Sequence, residues 1–133
     1  METGESGSTD RELALREDRI RSLNIQPLHA DQAARFSEAW LRVQARFVDD
    51  PAASILEADR LVTEAMQAKG YPLADFEQRA ADISVEHPRV VENYRAATAI
   101  SLRSQLGNAS TEELRQAMVH YRTLFEDLLD AQG

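Results

Sequence analysis

A chain of 133 residues with 43% hydrophobic and 29% charged side chains can bury one core and needs only one domain. Its 23 acidic and 15 basic residues leave a formal charge of −8, and the absence of cysteine removes disulfides, thiolate catalysis and Cys-based metal sites. Affinity for nucleic acid and for anionic lipid comes mostly from clustered Lys and Arg, so this balance argues against both and favours a basic partner.

The chain opens on Met1-Glu2-Thr3-Gly4-Glu5-Ser6-Gly7-Ser8-Thr9-Asp10, which is polar and acidic, the opposite of a secretory leader. No uncharged apolar run reaches the ~20 residues that a membrane span requires, so the expected location is the cytoplasm. Residues 1–28 read as a disordered or partly helical tail. Leu13, Ile20 and Leu23 offer one thin apolar seam, and Pro27 pushes the residue before it out of the helical region.

Residues 29–133 read as the helical domain. The first helix is predicted from Asp31, a capping residue type, to Val48, with Phe36, Trp40, Val43 and Phe47 on one stripe. Asp31 with Arg35 and Glu38 with Arg42 stand four apart as acid-to-base pairs on its wet side. Asp50-Pro51 then combines a capping carboxylate with proline at the first helical position. The second helix, over 51–69, buries Ile55, Ala58, Leu61, Val62, Ala65 and Met66, and ends on Lys69-Gly70 as a basic last turn and a left-handed cap.

Tyr71-Pro72 opens a short third helix predicted over 73–83, with Phe76, Ala80 and Ile83 inward. After the break at Ser84–Pro88, a fourth helix over 88–106 carries Val91, Tyr94, Thr98 and Leu102, widened by Val90, Ala97 and Ile100, and Gly107 closes it. Ser110 and Glu113 form a capping-box signature for the last helix, over 111–130. Leu114, Met118, Tyr121, Phe125 and Leu128 make its inner stripe, flanked by Ala117, Leu124 and Leu129. The fold class is therefore all-α: a bundle of four main helices plus one short helix, behind a disordered N-terminal tail.

Three runs carry a family resemblance: Phe36, Trp40 and Gln44 leading into Phe47-Val48-Asp49-Asp50-Pro51; Glu57-Ala58-Asp59-Arg60-Leu61-Val62; and Ser110-Thr111-Glu112-Glu113-Leu114-Arg115 followed by Tyr121-Arg122. With these, the chain resembles a group of uncharacterised small helical bacterial proteins of actinobacterial type. The resemblance implies a helical cytoplasmic protein and brings no catalytic residues.

No chemical motif stands out. His29, His87 and His120 are the only candidates for proton transfer near neutral pH or for nitrogen ligation to a metal, and none sits in a ligand motif. Asp49, Asp50, Glu57, Asp59 and Glu64 gather around the second helix. Paired carboxylates can bind a divalent ion, but the EF-hand spacing is absent and capping with the helix dipole already explains the aspartates at the helix start. With no cofactor motif and no nucleophile context, the expected function is a non-enzymatic protein–protein interaction module. It would be an adaptor or regulatory protein, with self-association as one form, acting through Glu57, Asp59, Arg60, Glu64, Glu113 and Arg115. The alternatives are a small-molecule sensor or enzyme with an inter-helix pocket, marked by convergent polar groups such as His120, Tyr94 or Tyr121, and a divalent-cation-binding acidic protein.

Overall fold

The computed structural model describes residues 23–130. Within them the chain is a helical bundle: α1 (Ala30–Arg46), α2 (Pro51–Lys69), α3 (Phe76–Glu86), α4 (Pro88–Gln105) and α5 (Thr111–Leu129). Four helices are long and α3 is short, the all-α architecture that the periodicity predicts.

Local chemistry sets most of the boundaries. The Asp50 carboxylate accepts from the Ala53 N–H at 3.2 Å, with Pro51 behind it at the first helical position. Ser110 and Glu113 exchange hydrogen bonds of 3.1 and 3.0 Å at the start of α5. Gly70 closes α2 at φ 99°, a backbone region that costs other residues roughly 1–2 kcal/mol. At α1 the N-cap is His29 rather than Asp31. The Gln32 side chain accepts from the His29 N–H at 3.1 Å and fixes the start two residues earlier, leaving Asp31 in the first turn, 3.6 Å from Arg35.

α3 lies three residues later than the predicted 73–83. Tyr71 is drawn into the core and the chain must turn through Pro72–Asp75 before the helix starts at Phe76. At its other end Ser84–Glu86 stay helical, because the single residue His87 both ends α3 and starts α4.

α5 is the central helix, packed most extensively on α4 and also on α2 and α1. Its Tyr121, Leu124, Phe125 and Leu128 are buried, each contributing roughly 1.5–3 kcal/mol of apolar transfer. α4 turns Val90, Val91, Ala97, Ile100 and Ser101 to the core, while Leu102, predicted on the inner stripe, is 58% exposed. α3 packs on α4 alone among the described helices.

The expected tail over 1–28 divides. Residues 1–22, with Leu13 and Ile20, lie outside the described residues. Residues 23–28 are tied to the bundle instead of hanging free, because Leu23 is buried, Ile25 packs on the core, and the Gln26 N–H donates to the Lys69 carbonyl at 2.9 Å.

Candidate functional site

A groove of about 470 Å³ runs between α2, α3 and α4, with Asp59, Glu77, Tyr94, Thr98, Ser101 and Leu102 among its walls. Helical spacing places these groups. On α4, Tyr94, Thr98 and Leu102 follow at four-residue steps, and Asp59 on α2 looks across at them from one residue beyond the buried Ala58.

Behind the groove, Tyr121 of α5 is fully buried, and its hydroxyl donates to Asp59 Oδ1 at 2.8 Å. Burial, then the Asp59 charge, pushes the Tyr121 hydroxyl far above its ordinary pKa, so it stays a donor. Tyr94 is raised for the same first reason, burial, with Asp59 and Glu77 adding to it. Its ring is set by Phe76, with centroids 4.5 Å apart. At the rim, the Arg95 guanidinium holds Glu77 through contacts of 2.7, 3.1 and 3.3 Å. Asp59, half-buried, has no ion pair among the described residues; the Tyr121 hydroxyl is the donor it keeps.

The six residues expected to form one interaction surface fall on three separate places. Only Asp59 enters this groove. Glu57, Arg60 and Glu64 line a smaller groove of about 240 Å³ on the α1 side of the same helix, because positions two apart on a helix point to opposite flanks. There Glu57 Oε1 lies 2.7 Å from Arg46 Nη1, an ion pair without a well-directed hydrogen bond. Glu113 serves the start of α5. The Ser110 N–H, followed by the Arg103 guanidinium, holds its carboxyl below the usual range. Arg115 is 2.5 Å from Glu112.

The Tyr121–Asp59 bond joins residues far apart in sequence, so no local pattern announces it. The one available signal is a tyrosine on the inner stripe of α5, whose buried hydroxyl requires a partner. Of the other polar groups considered as pocket linings, Tyr94 is on the groove wall. His120 is engaged elsewhere, its Nδ1 lying 3.0 Å from Asn93 Oδ1. Among the described residues no three His, Asp or Glu side chains gather as a metal site, so Asp49, Asp50, Glu57 and Asp59 do not converge on a cation. No described helix is long and apolar enough to cross a membrane.

This chain matches no protein family, no curated protein and no solved structure.

Proposed function

We propose that the protein is a non-enzymatic interaction module, a soluble cytoplasmic adaptor or regulatory domain, whose α2–α4 groove receives a basic side chain of another protein. The observation that carries this reading is Asp59: a half-buried carboxylate on the groove wall, oriented by a buried tyrosine and paired with no cation of its own among the described residues. A carboxylate partly withdrawn from water gains about 1.5–3 kcal/mol from a charged donor. Arg95 does not fill that role because Glu77 already holds it.

Exposed Leu102 and the flank of Tyr94 add apolar surface beside the charge. The fitting occupant is therefore a segment with Lys or Arg next to an apolar residue. The formal charge of −8 supports the same choice, favouring basic partners and disfavouring nucleic acid. The groove is open to solvent, which suits a protein segment better than an enclosed substrate. The resemblance to small helical bacterial proteins belongs to this reading and assigns no further residue.

The test is a titration of a fluorescein-labelled basic amphipathic peptide by anisotropy, with light scattering alongside to report self-association. Asp59→Asn keeps an oxygen for Tyr121 but removes the charge, and is expected to weaken binding about tenfold or more with little change in melting temperature. Equal binding by Asp59→Asn, or equal binding of an acidic peptide, would sink the proposal.

A further inference from the structure

Residues 1–22, outside the described structure, hold Arg11, Arg16, Arg19 and Arg21, four of the chain's 15 basic side chains. In Leu13-Ala14-Leu15-Arg16 an uncharged apolar triplet runs directly into a guanidinium. That is the combination of apolar surface and cation which the α2–α4 groove presents in reverse, with Asp59 beside Tyr94 and Leu102.

The charges of the groove favour such an occupant. Asp59 is partnered among the described residues only by the neutral Tyr121 hydroxyl. The other two charged groups on the walls, Glu77 and Arg95, offset each other in an ion pair at 2.7 Å. The groove is therefore one positive charge short. Its apolar end is uncovered as well: Leu102 is 58% exposed and Leu106, four residues further along the chain, 67%. Covering them with leucine side chains removes apolar area from water.

The attachment of the segment decides which arginine can arrive. The chain is fixed at the end of α2, where Leu23 is buried, the Asn24 carbonyl lies close against Gly70, and the Gln26 N–H donates to the Lys69 carbonyl. Asp59 stands ten positions before Lys69, about 15 Å back along the helix axis. Measured from Leu23, the backbone to Arg21 spans at most about 7 Å and that to Arg19 about 13 Å, whereas that to Arg16 spans about 23 Å and reaches with slack. Arg11 also has the length, but Asp10 and Glu12 flank it with opposing charge. Because His87 at the start of α4 meets Tyr71 just beyond α2, a path from Leu23 along the groove leads away from that end, past Asp59 and towards Leu102. Leu15 and Leu13, further out than Arg16, then fall on the apolar end.

We propose that the chain's own residues 13–16 occupy the α2–α4 groove in the free protein, with the Arg16 guanidinium on Asp59 and Leu13 and Leu15 over Leu102. This rests on the reading of the groove as a site for basic segments, and adds that a partner enters only by displacing the internal one.

The test compares full chains. Amide shifts of Asp59, Thr98 and Leu102 are recorded for the free wild-type protein and for Arg16→Gln, and both are titrated with the fluorescein-labelled basic amphipathic peptide. Arg16→Gln is expected to move the three groove signals. It should also tighten peptide binding about threefold or more, because a site filled by its own segment for about two-thirds of the time shows about a third of its intrinsic affinity. Leu13→Ser should act in the same direction by a smaller factor. Unmoved groove signals, or peptide binding by Arg16→Gln no tighter than wild type, would overturn the proposal. So would groove signals that move only as the wild-type protein is concentrated, which would make the occupant a second copy of the chain. Asp59→Asn separates the two readings. If it weakens peptide binding while Arg16→Gln changes nothing, the groove keeps its partner and only the internal segment is excluded; if it binds the peptide as wild type does, both readings fail.

Discussion

The Trp40 indole lies nearly flat on the Phe125 ring, with centroids 5.1 Å apart and planes 11° from parallel, while Phe36 meets the same ring edge-on at 6.3 Å. One side chain of α5 thereby fixes two turns of α1. Phe125→Ala removes a fully buried ring and leaves both partners facing a void, so it is expected to cost roughly 3–5 kcal/mol in urea denaturation. That is much of a typical domain's ~5–15 kcal/mol. Wild-type stability in this variant would mean that α1 does not depend on the stack.

The Tyr121 hydroxyl is worth less but is easier to isolate. Tyr121→Phe keeps the ring and deletes the 2.8 Å bond to Asp59. A hydrogen bond to a charged acceptor contributes about 1.5–3 kcal/mol, and Asp59 still has access to water, so a loss near the lower figure is expected. Chemical denaturation of the single variant, compared with the double variant carrying Asp59→Asn, would show the coupling as a non-additive difference.

Gly70 reports on the docked segment 23–28. A Cβ at this position would sit 2.6 Å from the Asn24 carbonyl oxygen, and the φ of 99° is itself unfavourable for alanine. Gly70→Ala is therefore expected to cost at least about 1–2 kcal/mol and to speed exchange of the Gln26 amide, whose hydrogen bond goes to the Lys69 carbonyl. Truncation of residues 1–28 should likewise lower the melting temperature, since it removes the buried Leu23. An unchanged Gln26 exchange rate in Gly70→Ala would show that the segment holds without this close approach.

His87 gives the bundle a pH dependence. Burial depresses its folded pKa below the ordinary 6.5, so between the two values the unfolded chain binds more protons than the native one. Its stabilising contribution is complete above about pH 6.5 and falls as the pH drops below it. His87→Gln should flatten the slope of melting temperature against pH between about 6.5 and 5, before carboxylate titration takes over. The same slope in both proteins would assign it to other groups.

Ser110→Ala tests the cap on the central helix. It removes the acceptor of the Glu113 N–H and is expected to cost about 1 kcal/mol by thermal melting. No measurable loss would show that Glu113, which also pairs with Arg103, holds the start of α5 without it.

The amino-acid sequence by itself determined the element types and most of their ends. Asp50-Pro51, Gly70, Pro88 and the Ser110–Glu113 pair are local devices, each settled by hydrogen bonds or backbone angles within a few residues. It also determined that Trp40, Ala58, Tyr121 and Phe125 face inward, because helical periodicity alone collects them on stripes. Tertiary structure decided the rest. Ser101 faces the core in place of Leu102 because α4 turns that flank towards the helices it packs on, α5 above all. Lys69 is buried because α5 happens to end where its amine can reach the Leu128 carbonyl. Asp59 becomes a candidate site only because Tyr121, with the whole of α3 and α4 between them along the chain, stands behind it. Such pairings depend on which helix faces which, and no local spacing encodes that.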